Sequence, residues 1–147
     1  MKKKEQMMGC RFLAISIGLV YLWFGVLKFF PHLSPAEDLA KNTITVLTLG
    51  LIPPNVSIIL LAIWETAIGV ILLTNYFRRP IIILALVHLL FTFTPLLFFP
   101  KESFNLPFVF TLLGQYIFKN LIIIAALIIL YNNALPKKIQ PYKKQFK

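Results

Sequence analysis

The chain has 147 residues, 59% of them hydrophobic and 14% charged, with a net charge of +10 and a mean hydropathy of +0.81. A soluble domain of this size has too little interior for so much apolar side chain, so the surplus must face lipid. The basic residues gather at the ends of apolar runs, where membrane topology accounts for them and a nucleic-acid partner is excluded.

Four windows are long and apolar enough to cross a bilayer as helices, at about 11–30, 56–75, 80–99 and 107–131. Prolines mark their edges at Pro31, Pro53, Pro54, Pro80, Pro100 and Pro107, positions where a missing N–H costs little. The first window follows Lys2, Lys3 and Lys4 as a signal peptide would. Its apolar run is longer than a signal core, and no small-residue cleavage site follows Phe30, so it reads as an uncleaved span.

Between the first two spans, Ser34, Pro35, Ala36 and Glu37 read as a capping box with proline at the first helical position. Ala36, Leu39, Ala40, Ile44 and Leu47 then recur at helical spacing with polar residues between them. This pattern predicts a short amphipathic helix on the outer membrane surface, ending near Gly50 and Pro53. The fold class is therefore all-α: one domain over 1–147, a four-transmembrane-helix bundle with that outer helix between spans 1 and 2. Residues 132–147 form a basic tail.

Lys2, Lys3, Lys4, Arg11, Arg78, Arg79, Lys137, Lys138, Lys143, Lys144 and Lys147 fall on one side of this arrangement. Only Lys28, Lys41 and Lys101 fall on the other, which places both termini in the cytoplasm.

Each span carries a stripe of small or polar residues. The stripes are Ala14, Gly18, Tyr21, Gly25 and Lys28; Ala62, Glu65, Thr66 and Gly69; Ala85, His88, Thr92 and Pro95; and Thr111, Gln115 and Lys119, with Tyr116 and Asn120 alongside. Lipid offers such groups nothing, so the stripes should converge inside the bundle. At about 1.5 Å per residue, Tyr21, Glu65, His88, Gln115 and Lys119 all lie roughly 12–18 Å deep, with Lys28 near the outer rim. These six residues form the candidate polar intramembrane site. An unpaired charge at that depth is costly, which pairs Glu65 with Lys119 and leaves His88 or Gln115 to satisfy the remainder. Such a pair either fastens two helices in register or serves function; the sequence leaves both open.

Several chemistries are set aside. The lone Cys10 excludes an internal disulfide and paired-thiol redox chemistry. His32 and His88 sit at different depths, unsuited as paired haem ligands. The sequence carries no phosphate-binding glycine loop, dinucleotide fingerprint or metal-ligand cluster. No catalytic residue is assigned, and the loops are too short to hold a catalytic domain.

The run LVYLWFGVLKFFP, with Gly25 and Lys28, and the run LLAIWETAIGVILL, with Glu65 and Gly69, resemble the DoxX-like family of small four-helix membrane proteins. HLLFTFTPLLFFP and TLLGQYIFKNLIIIAAL resemble a subgroup of it, and the likeness extends over 11–131. The resemblance implies a bacterial or archaeal cytoplasmic membrane. It also implies a non-catalytic or quinone-site subunit, or an anchor, of a quinone-linked oxidoreductase, with a redox protein as partner and quinone drawn from the lipid phase. Two other readings stand beside it: a small-solute or proton-coupled carrier, and a structural or assembly protein without chemistry.

Overall fold

The structure is a computed structural model that describes residues 2–34, 36–74 and 78–134. The tail expected over 132–147 lies outside the described residues from 135 onward, and Pro35 of the expected capping box lies outside them too. The chain is mostly helical. It runs through α1 (Lys2–Leu27), α2 (Glu37–Leu47), α3 (Pro54–Thr74), α4 (Arg78–Phe91), α5 (Pro95–Phe98), α6 (Pro100–Ser103), β1 (Phe104–Leu106), β2 (Val109–Phe110) and α7 (Leu112–Ala134). Among the described residues, four segments are long and apolar enough to cross a bilayer: Glu5–Leu27, Pro54–Thr74, Arg79–Phe98 and Leu112–Ala134.

The helices run alternately up and down. Gln6 Nε2 donates to Asn133 Oδ1 at 2.7 Å. The Arg79 guanidinium donates twice to the Ala134 carbonyl, at 2.8 and 2.6 Å. These bonds gather the start of α1, the start of α4 and the end of α7 at one end, the terminal end. The amphipathic helix α2, the hairpin and the start of α7 lie at the other, the α2 end.

The apolar core occupies the terminal half. Ala14, Ile17, Ile68, Leu72, Ile82, Ala85, Leu127 and Leu130 pack there, each no more than 5% exposed. Small residues let the backbones approach, and in lipid that close contact, more than hydrophobic burial, holds helices together. α1 packs closely on α3. A Cβ on Gly69 would stand 2.5 Å from the Leu22 backbone nitrogen, and one on Gly25 would stand 2.6 Å from that of Thr66.

α2 forms where the spacing predicts it. Its end follows from Gly50, at φ 76°, and from Leu49, held in the left-handed region at φ 53°. The Gly50 N–H reaches the Thr45 carbonyl and the Leu49 N–H that of Val46, a Schellman ending. The start differs from the expected capping box. Ala36 precedes the helix without a side-chain cap. The Glu37 carboxylate instead accepts the His32 N–H at 2.7 Å and the Lys41 ammonium at 2.6 Å. Both donors hold its carboxyl below the usual carboxylate range, Lys41 foremost.

Three spans differ from their expected form. The first, expected over 11–30, starts earlier and ends its helix at Leu27. The third, expected unbroken over 80–99, is α4, a tight turn over 92–94, and α5. Pro95 has no N–H to give the Phe91 carbonyl, and its ring would clash there. The Thr94 N–H and hydroxyl take that carbonyl instead. The fourth span, expected from 107, starts at Leu112, because Pro107 and Phe108, the latter at φ 64°, turn a two-stranded hairpin. The Thr111 hydroxyl accepts the Gly114 N–H and so caps α7. Phe104 stacks on Phe110 at 4.9 Å, and Phe110 meets Phe118 at 5.0 Å, which fixes the hairpin to α7.

Candidate functional site

Side chains on a helix lean toward its N-terminus. Lys28, just beyond the end of α1, therefore leans back into the bundle. Glu65, on antiparallel α3, leans toward the α2 end. The two meet. Lys28 Nζ stands 2.6 Å from Glu65 Oε2, and each side chain is only 9% exposed. The ammonium also donates to the Phe24 carbonyl at 3.3 Å, one of the acceptors that a helix end leaves open.

His88 reaches the same carboxylate from α4, with Nε2 3.4 Å from Glu65 Oε1. Its other ring nitrogen, Nδ1, lies 3.2 Å from the Tyr21 hydroxyl, which is also 3.2 Å from the Ala85 carbonyl. The geometry admits two proton arrangements. In one, a neutral imidazole accepts from Tyr21 and gives its Nε2–H to Glu65. In the other, an imidazolium donates both ways while Tyr21 donates to Ala85. Lys28, Glu65, His88 and Tyr21 thus form one chain of titratable groups drawn from three helices. Either arrangement leaves Glu65 with two donors, which is what a carboxylate out of water requires.

This chain borders a cavity of roughly 270 Å³. Most of its wall is apolar, including Leu39, Ile44 and Leu47 of α2 and Ile117 of α7. Asn120 and Thr92 add a second polar contact on the wall, the Asn120 amide donating to the Thr92 hydroxyl at 3.2 Å. Half-exposed Val20, Phe24, Phe91 and Tyr116 form its rim. A hollow just below the usual ~300–1,000 Å³ of small-molecule sites, apolar but with a few convergent polar groups, suits a ring-sized headgroup rather than a whole amphiphile.

Of the six expected site residues, the structure brings Tyr21, Lys28, Glu65 and His88 together. Gln115 and Lys119 stand apart on an exposed face of α7, with Lys119 Nζ 5.5 Å from the Tyr116 ring centre. Glu65 therefore pairs with Lys28 and not with Lys119. The residue of α7 turned inward is Asn120, next to Lys119 and about 100° around the helix. Lys28, expected at the rim, bends inward on its long flexible stem. Asn120 and Thr92 were on or beside the sequence stripes but were not picked out as site residues; an amide and a hydroxyl at matching depth on adjacent spans were the available signal. Among the described residues no group of three or more His, Cys, Asp or Glu is placed to hold a metal ion.

Comparison with known protein families, with characterised proteins and with solved structures returned no match.

Proposed function

We propose that the chain is a DoxX-like integral membrane protein of a bacterial cytoplasmic membrane, both termini cytoplasmic, that serves as the membrane subunit of a quinone-linked oxidoreductase. The observation that carries this reading is the buried Tyr21–His88–Glu65–Lys28 chain on the wall of an apolar cavity. A quinone headgroup needs donors for its carbonyl oxygens and groups that give or take protons as it changes redox state. The Tyr21 hydroxyl and the Asn120 amide can donate to a carbonyl; Glu65 and His88 can hold or release protons. The isoprenoid tail would leave past the apolar rim into lipid.

A subunit also needs a surface for its partner. α7 is the least covered of the four spans. It turns Gln115 and Lys119 outward, where a partner helix carrying an acceptor would satisfy them better than lipid does. The turn beside His88 favours a second reading, a proton-coupled carrier, since broken helices line many transport sites.

The test is purification from native membranes with bound quinone and partner proteins identified by mass spectrometry, followed by titration of the reconstituted protein with a short-tailed ubiquinone. Saturable binding that Tyr21→Phe and His88→Ala each weaken at least tenfold supports the proposal. Absence of both co-purified and saturably bound quinone refutes it. Uptake of solute by quinone-free proteoliposomes would favour the carrier.

A further inference from the structure

A chain of titratable groups inside a bilayer can exchange protons only if water reaches it. Toward the terminal end the way is closed. Ile17, Ile68, Ile82, Leu127 and Leu130 fill the bundle there, none more than 5% exposed. Toward the α2 end the structure is open. A second hollow, of roughly 340 Å³, lies against the start of α2, bordered by His32, Glu37, Asp38 and Glu102. His32, Asp38 and Glu102 are solvent-exposed, while Glu37 is buried against Lys41 and the His32 N–H.

The two hollows share part of their walls. Ser34, Ala36, Leu39 and Leu113 border both. Ser34 is 8% exposed, and a hydroxyl can accept a proton while releasing its own, so it can pass protons where the apolar neighbours cannot. The charged and titratable groups near this route are few. Lys28, Glu65, His88 and Tyr21 lie on the inner side with Tyr116 of α7, and α2 contributes none to the inner wall. Asp38, Glu102, Glu37, Lys41 and His32 lie on the outer side.

We propose that the two hollows form one hydrated path by which the Glu65–His88 pair exchanges protons with the aqueous phase at the α2 end, and with that phase alone. Ser34 is the relay at its neck, and Asp38 and Glu102 collect protons at its mouth. This deepens the reading of the inner cavity as a quinone site. On the proposed topology it means that protons of the bound headgroup are exchanged outside the cytoplasm.

The path is testable without any quinone. Starting from the full chain with Cys10→Ser, single cysteines are placed as Asp38→Cys at the mouth, Thr92→Cys in the inner cavity and Leu130→Cys in the closed core. Right-side-out membrane vesicles are exposed briefly to silver ions, which are small, charged and react with thiols in water. After an impermeant thiol quench and solubilisation, maleimide labelling reports which cysteines were protected. Protection is expected at 38 and 92 and not at 130. Adding Leu39→Trp should slow protection at 92 at least tenfold and leave 38 reactive and 130 unreactive; the closed site at 130 shows that the fold survives. Protection at 38 without protection at 92 overturns the path. Protection at 92 only after the vesicles are opened overturns its sidedness. A protein that binds quinone but stays unreactive at 92 loses the path alone; one reactive at 92 without quinone binding loses the quinone reading alone.

Discussion

The Lys28 ammonium and the Glu65 carboxylate meet at 2.6 Å across α1 and α3, both nine-tenths enclosed. Neither is easily accommodated alone at that depth, and each has one further contact. Lys28 keeps the Phe24 carbonyl, and Glu65 keeps His88. Removing one partner of a buried pair typically costs about 3–5 kcal/mol, because the other charge is stranded. Lys28→Met should fall at the low end, since His88 remains beside Glu65. Glu65→Met should cost more, since it takes the carboxylate from both Lys28 and His88 and leaves them only the Phe24 carbonyl and Tyr21. The double replacement should cost less than the two single losses added. Unfolding in mixed micelles, followed through a double-mutant cycle, checks this; additive losses would show that the pair is not coupled.

The glycines of α1 and α3 should separate by the room around them. A Cβ on Gly25 would meet the Thr66 backbone nitrogen at 2.6 Å and its hydroxyl at 2.7 Å, and one on Gly69 would meet the Leu22 backbone. Backbone cannot swing aside, so Gly25→Ala and Gly69→Ala should each destabilise by about 1–3 kcal/mol. On Gly18 the nearest atoms are the Leu73 side chain at 3.0 Å and the Gly69 carbonyl oxygen at 3.1 Å, looser than either contact above, so its alanine should be milder. Gly9 has nothing within 4 Å, and Gly9→Ala should gain up to about 1 kcal/mol of helix propensity. Thermal unfolding in detergent orders the four variants; a flat series would deny the close α1–α3 packing.

Glu37 gives α2 a pH dependence. Its carboxyl is held below the usual range by Lys41 first and the His32 N–H next. A depressed pKa stabilises the folded state above the unfolded value and loses that support as pH falls through the folded one. The start of α2 should therefore stay anchored at neutral pH and loosen below about pH 4, the ordinary carboxylate range. Amide hydrogen exchange along α2 should rise there in the wild type. In Glu37→Gln it should already be raised at pH 7 and change little on acidification. An acid response that persists in Glu37→Gln would locate the switch elsewhere.

What was legible in the sequence follows from what each signal measures. Hydropathy measures lipid exposure, so four long apolar helices could be read without any contact information. Spacing over Leu39, Ala40, Ile44 and Leu47 showed α2 because its two faces differ. Residue counting fixed depth, and so set Tyr21, Glu65 and His88 at one level. Rotation about the axis was legible only where a stripe had one polar side. On α7 polar residues occur on both sides, at Gln115 and Lys119 and again at Tyr116 and Asn120, and charge was a poor guide to which turns inward. The reach of a flexible lysine stem was not legible at all, which is why Lys28 was set at the rim. The hairpin was hidden because its strands are two and three residues long, too short for an alternation to register.

Lys119 offers the sharpest contrast between the two arrangements. Had it been the partner of Glu65, Lys119→Met would strand a carboxylate and cost about as much as any broken buried pair, roughly 3–5 kcal/mol. In the structure Lys119 is exposed on α7, over the Tyr116 ring, and Glu65 is satisfied by Lys28 and His88. Lys119→Met should therefore bring no loss of stability to the isolated protein, since it takes an ammonium off the outward face of a span. Combined with Lys28→Met, its effect should simply add, because the two sites share no partner. If the outward face of α7 receives a partner helix, the loss should appear elsewhere. Co-purification of the partner from native membranes should fall with Lys119→Met and fall further with Gln115→Leu added, while quinone binding by the remaining protein is unchanged. A stability loss equal to that of Lys28→Met would return Lys119 to the centre of the bundle. Full partner recovery with both substitutions would move the docking face to another helix.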